Sequence, residues 1–155
     1  MESTAHASGY GWSTTRRRSA IAHATLYLGA LAVLGIGVVH IQQYYGADYS
    51  TVPTIGTLFF LNFVSAVVIT AGLVAPLGRI VIRAGFAAAG IGLGVLSLVS
   101  LFISESSSGL FGFQEHGYGT PITLAIVAEA ASVVLLVVYL AANGKALRDL
   151  RTGSR

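Results

Sequence analysis

The chain has 155 residues, of which 54% are hydrophobic and only 10% charged, and it contains no cysteine. A soluble domain of average composition is about 25% charged, so this composition argues against a water-soluble globular fold. The lack of cysteine excludes disulfides, thiolate metal sites and a cysteine nucleophile. Nine Lys and Arg against six Asp and Glu give a net charge of +3. Because the bases do not form one face or stripe, we expect no nucleic-acid partner.

Four apolar runs stand out, and each is long enough to cross a bilayer once, since a helix needs about 20 residues at 1.5 Å each. They are apolar all round, as lipid-facing helices must be, and buried strands are usually much shorter. The sequence therefore predicts an all-α, four-span transmembrane bundle. Residues 1–19 are predicted to be a flexible tail, residues 143–155 a basic tail, and the spans to cover 20–41, 55–75, 80–103 and 122–142.

The basic residues predict the orientation of the bundle. The connections 42–54 and 104–121 carry acids but no Lys or Arg. By the positive-inside rule, both termini are expected in the cytoplasm, and the short connection at 75–79 favours an up-down-up-down arrangement. Eight arginines against one lysine, in a chain rich in Ala, Gly and Val, are typical of a GC-rich bacterial genome, so we expect the bacterial cytoplasmic membrane. The nine bases are Arg16, Arg17, Arg18, Arg79, Arg83, Lys145, Arg148, Arg151 and Arg155.

Small residues indicate where the helices pack. Gly90 and Gly94 have GxxxG spacing in the third span, and Gly35 and Gly37 form a weaker counterpart in the first. Such spacing lets helix backbones approach closely in lipid. We expect contacts within one bundle rather than dimerisation, because four helices already have surfaces to satisfy. A second small ridge in the third span comprises Ala84, Ala88 and Gly92.

Glu129 is the one acid inside a span, and it lies seven positions after Ile122, roughly 10 Å below the boundary. Asn62 lies at the same depth in the second span, and Ser97 lies close to it in the third. We predict one intramembrane polar layer made of Glu129, Asn62 and Ser97. Two interpretations remain open: a proton-linked or ligand-binding site, or a protonated Glu129 hydrogen-bonded to Asn62 that joins two helices. The lack of a second titratable group in the layer slightly favours the structural one.

The outer face offers a further candidate site for a ligand or partner, at His40, Glu115 and His116. Imidazole with carboxylate suits zinc or copper, but the spacing matches no metal signature, so no metal is predicted. His23 and His40 lie 17 residues apart on one helix, too far to ligate one haem iron together. The aromatic, glycine-rich outer loops fit either an interfacial belt or a recognition surface.

A histidine at the end of the first span, PTIGTLFFLN at 53–62, GFQE at 112–115 and AEAA at 128–131 together resemble a group of small, uncharacterised bacterial four-helix membrane proteins. In size and span number the chain is also loosely similar to DoxX-like proteins, although it lacks their motifs. The resemblance implies the four-helix architecture and no particular activity.

No P-loop, nucleophile elbow, HExxH or Rossmann fingerprint occurs, so we expect neither an enzyme nor a cofactor. The leading hypothesis is an accessory or scaffold protein that binds a larger membrane assembly or lipid, with the bilayer and a membrane protein as partners. The alternative is a small proton-coupled carrier that uses Glu129 and Asn62, and a quinone- or haem-binding redox subunit is third. A dry polar layer would fit the first hypothesis, and a water-accessible cavity that reaches Glu129 would fit the second. A visible chromophore that co-purifies would fit the third.

Overall fold

The computed structural model describes residues 9–115, 117 and 119–153, with the side chains of 9–15 and 151 left aside. It confirms the predicted all-helical architecture with four helices long and apolar enough to cross a membrane. The helices are α1 (Gly9–Gly46), α2 (Ile55–Val74), α3 (Ile80–Ser104), α4 (Thr120–Ala142) and the short α5 (Gly144–Arg151), with one 3-10 turn at Tyr49–Thr51.

The first helix starts well before the predicted span. α1 begins at Gly9, so residues 9–19, predicted as part of a flexible tail, belong to the first helix. No proline or glycine interrupts residues 12–19, and arginine is a good helix former, so the apolar helix continues through Arg16, Arg17 and Arg18. Residues 1–8 lie outside the described part of the chain. The predicted basic tail contains α5, which follows α4 after a break at Asn143.

Neighbouring helices run antiparallel around a four-sided bundle. A side chain at Gly37 of α1 would meet Ala66 of α2, and one at Gly90 of α3 would meet Leu136 of α4. Each helix packs against the two beside it, and the diagonal pairs barely touch. We call the end with the connections 47–54 and 105–119 the loop end. The opposite end, with the connection 75–79 and α5, is the basic end.

The outside of the bundle is apolar. Leu31, Leu96 and Val134 expose 65%, 67% and 61% of their surface, whereas Val33 and Leu136 are wholly buried between the helices. So large an exposed apolar surface is typical of a protein that meets lipid. By the length and composition of its helices, the chain is a multi-pass membrane protein.

The GxxxG pair of α3 packs inside the bundle, on α4. A Cβ added at Gly94 would lie 2.8 Å from Ser132 Oγ and 3.1 Å from the Glu129 carbonyl oxygen. A Cβ added at Gly90 would lie 2.7 Å from Leu136 Cδ1. The distances of 2.8 Å at Gly94 and 2.7 Å at Gly90 are too short for a real Cβ contact, so these glycines allow α3 and α4 to come together, as expected for contacts within one bundle.

The other predicted small-residue contacts are less uniform. A Cβ at Gly35 would make an ordinary contact, 3.7 Å from Ala128, whereas one at Gly37 would lie 2.8 Å from Ala66. Gly37 is therefore the tighter of the two α1 positions. A Cβ at Gly92 would meet nothing within 4 Å, so Gly92 has no packing role in this bundle.

Candidate functional site: a cavity at the loop end

A cavity of about 290 Å³ lies between the four helices at the loop end. The three residues of the predicted polar layer, Glu129, Asn62 and Ser97, all border it. Depth counted from the sequence therefore placed them together correctly. The remaining walls are mainly apolar and come from all four long helices and both connections, including Ile55, Leu58, Phe59, Leu93, Phe113 and Ile122.

The predicted hydrogen bond between Glu129 and Asn62 is wrong. The Asn62 amide instead donates from Nδ2 to Ser97 Oγ at 2.6 Å, across α2 and α3. The reason lies in the arrangement of the bundle: Asn62 and Ser97 are on adjacent helices, whereas α4, which carries Glu129, is diagonal to α2. Asn62 Oδ1 is buried and makes no hydrogen bond.

The Glu129 carboxyl is the second polar group at the cavity without a partner. Glu129 is only 2% exposed, and its Oε2 is buried with no hydrogen bond. The nearby Ser132 hydroxyl donates to the Glu129 backbone carbonyl at 2.8 Å rather than to the carboxyl. A buried polar atom without a partner costs about 1–3 kcal/mol. Asn62 and Glu129 thus both border the cavity, and each has one buried oxygen that a hydrogen-bond donor would stabilise.

His40 borders the same cavity from the loop end of α1. Its Nδ1 donates to the Ile36 carbonyl at 2.9 Å, which leaves Nε2 as the free ring nitrogen. Its ring packs on Phe59, with centroids 4.9 Å apart. Of the residues hypothesised to form a ligand or partner site, His40 and Glu115 border one cavity, and His116 lies outside the described residues. Among the residues the structure describes, no three His, Asp or Glu side chains group together as metal ligands would.

One hydrogen bond joins the two connections over the cavity. The Tyr49 hydroxyl donates to Glu115 Oε2 at 2.5 Å, although the residues are 66 positions apart. The Tyr49 ring also stacks on Phe59 at 4.8 Å and meets the edge of Phe113 at 5.5 Å. Burial, and then the bond to the Glu115 carboxylate, raise the pKa of the Tyr49 phenol well above its ordinary value of 10.0, so the phenol stays protonated.

A tight turn holds Phe113 in this position. Leu110 and Phe113 exchange two backbone hydrogen bonds of 2.8 and 2.9 Å, and the intervening Phe111 and Gly112 have φ of 52° and 80°. Positive φ at both central residues is the pattern of a hairpin turn, which suits glycine and strains phenylalanine. The Glu115 N–H then donates to the Ser104 carbonyl at 3.1 Å, which returns the connection to the end of α3.

The cavity also approaches the lipid-facing surface between α2 and α3. Leu61 and Leu96 border it, yet they expose 51% and 67% of their surface on the outside of the bundle. The cavity therefore borders the outer surface of the bundle at this point. Of the cavity residues, sequence analysis missed Tyr49, because no local pattern marks a pairing with Glu115 so far along the chain.

The site thus combines a mainly apolar cavity, two bordering side chains that each have an oxygen without a partner, and a hydrogen bond between Tyr49 and Glu115 at its border. Comparisons of the chain with protein-family profiles, curated proteins and solved structures find no match. The residues of the cavity are therefore the basis for the kind of ligand that it could bind. Apolar walls with a few fixed polar atoms are the common pattern of a small-molecule site.

Proposed function

We propose that this protein is a non-enzymatic membrane protein that binds a small amphiphile in the loop-end cavity. The observation that carries the proposal is a mainly apolar cavity bordered by Asn62 and Glu129, whose buried oxygens Oδ1 and Oε2 have no hydrogen-bond partner. A hydroxyl or amine on the ligand would donate to them, and its apolar body would pack against Phe59 and its neighbours. At about 290 Å³ the cavity is roughly twice the 150 Å³ cavity that holds benzene, which suits a two-ring molecule.

Binding is better supported than transport. Towards the basic end, the bundle interior is filled by wholly buried side chains, including Val33, Leu73 and Leu136. A proton-coupled carrier would have to move this packed layer to reach the opposite side. The cavity does favour a ligand site over a dry, purely structural polar layer. An accessory role, in which the protein holds a lipid-like molecule for a membrane partner, agrees with both observations.

We also propose an orientation of the bundle in the membrane: the basic end faces the bacterial cytoplasm, and the loop-end cavity lies in the outer half of the membrane. Its support is that all nine bases lie in the first part of α1, between the end of α2 and the first turns of α3, or after α4. Cysteines introduced by Ser50→Cys and Ser107→Cys should react with an impermeant reagent in intact cells, and Thr152→Cys should react only after lysis. Labelling of Thr152→Cys but neither of the others would reverse the orientation.

Mass spectrometry of what co-purifies in mild detergent tests the ligand site. Ala125→Phe places a ring in the cavity wall, whereas Val127→Phe, two residues along α4, adds the same ring at a side chain that is 60% exposed to lipid. The wild type and Val127→Phe should retain a bound amphiphile that Ala125→Phe lacks. Equal amounts in all three proteins, or none in the wild type, would contradict the proposal.

A further inference from the structure

A second cavity, of about 200 Å³, lies at the basic end of the bundle and is separate from the loop-end site. It sits between α1, α3 and the end of α4. Part of its wall is apolar, from Ala22, Leu26 and Ile80. Its polar lining consists of His23, Arg83, Tyr139 and Asn143.

Arg83 provides the positive charge of this cavity. Its Nη2 donates to the Ala75 carbonyl at 3.1 Å, which fixes the guanidinium at the end of α2. Its Nε is buried and has no acceptor. The Tyr139 phenol, only 4% exposed, lies beside the guanidinium. Among the residues that the structure describes, no acidic side chain pairs with Arg83, so its buried Nε–H has no described anion beside it.

We propose that this cavity binds a phosphate group, carried by a lipid of the adjoining leaflet or as a free anion. Guanidinium forms strong, directional hydrogen bonds to phosphate oxygens, and an oxyanion would satisfy the Arg83 Nε–H. His23 also borders the cavity. Because its Nδ1 donates to the Ser19 carbonyl at 2.7 Å, Nε2 of the neutral ring is an acceptor, which would bond to the O–H of a protonated phosphate. The apolar residues Ala22 and Leu26 suit the first carbons of a lipid. The surrounding bases strengthen the attraction to anionic headgroups.

Native mass spectrometry of the full chain in detergent, titrated with phosphatidylglycerol, measures this binding. Arg83→Gln removes the charge and should weaken binding by roughly tenfold or more, as expected for a charge-assisted hydrogen bond. Arg79→Gln is the matched control. Arg79 is exposed and lies outside the cavity, and its substitution removes the same charge four residues away from Arg83. Its loss of affinity should be much smaller.

A second variant, Arg83→Lys, and competition with inorganic phosphate test the phosphate site further. Arg83→Lys retains the charge but not the planar fork, so it should fold even if Arg83→Gln does not, and it should also weaken binding. Inorganic phosphate that displaces phosphatidylglycerol, with the same dependence on Arg83, would identify a free anion as the ligand. Failure to displace it would identify the lipid. Binding of both probes that neither Arg83 variant alters, or no binding of either probe, would overturn the proposal.

Discussion

Replacement of Gly94 by alanine should destabilise the bundle, whereas the same change at Gly92 should not. Both glycines lie in α3, but the added methyl group meets different surroundings. At Gly94 it would lie 2.8 Å from Ser132 Oγ and 3.1 Å from the Glu129 carbonyl oxygen, and at Gly92 it would meet nothing within 4 Å.

The loss of stability in Gly94→Ala depends on how far Ser132 and the α4 backbone can move away from the added methyl group. Ser132 is wholly buried and its hydroxyl is held by the Glu129 carbonyl, which is itself part of the α4 backbone. Overpacking of this kind costs about 1–3 kcal/mol. Each substitution also gains up to about 1 kcal/mol from the better helix propensity of alanine, and this gain cancels between the two variants. Gly94→Ala should thus be about 1–3 kcal/mol less stable than Gly92→Ala.

Unfolding in mixed micelles, titrated with dodecyl sulfate and followed by circular dichroism, measures the free energy of unfolding of each variant against the wild type. Equal stability of the two variants would show that α3 does not pack on α4 through Gly94. The predicted intramolecular role of the GxxxG pair would then be wrong.

Two further predictions concern hydrogen bonds between helices and between connections. A double-mutant cycle of Asn62→Ala and Ser97→Ala should give a coupling of about 0.6 kcal/mol and at most about 1.7, the range for interhelical bonds in lipid, and a coupling of zero would contradict the bond. Tyr49→Phe keeps the ring stacking but should lose about 1 kcal/mol from the bond to Glu115. Because the fold raises the pKa of Tyr49, the wild type should keep this stabilisation below pH 10 and lose it progressively at higher pH. Identical pH profiles of unfolding for the wild type and Tyr49→Phe would argue against it.

The sequence determined the spans and the depth of their polar residues because both depend on counting along one helix. Seven positions of 1.5 Å rise put Glu129 and Asn62 in the same layer, and the structure has them at one cavity. The GxxxG spacing of Gly90 and Gly94 likewise marked a helix face without knowledge of its neighbour.

Counting residues along one helix could not predict the features that depend on which helices are adjacent in the bundle. The hydrogen bond of Asn62 goes to Ser97 because α3 is adjacent to α2, while α4 is diagonal, and no one-dimensional pattern carries that information. The Tyr49 to Glu115 bond depends on how two long connections fold over the bundle end. The extent of α1 was also underestimated, because a run of arginines ends a hydrophobic pattern without ending a helix.

The most direct test of the loop-end site compares two ligands of the same shape, naphthylmethanol and ethylnaphthalene, which differ in a hydroxyl and a methyl group. The rise in unfolding temperature with each ligand gives its affinity, and the ratio of the two affinities is the preference of the protein for the alcohol. Because both proteins are measured in the same detergent, comparison of the wild type with Glu129→Leu cancels any difference in how the two ligands partition into detergent. A donor bound at Glu129 predicts that this preference falls by roughly fivefold or more in Glu129→Leu, as expected for one lost hydrogen bond of about 1 kcal/mol or more. The same preference in both proteins would contradict the claim that the carboxyl at the border of the cavity receives a ligand.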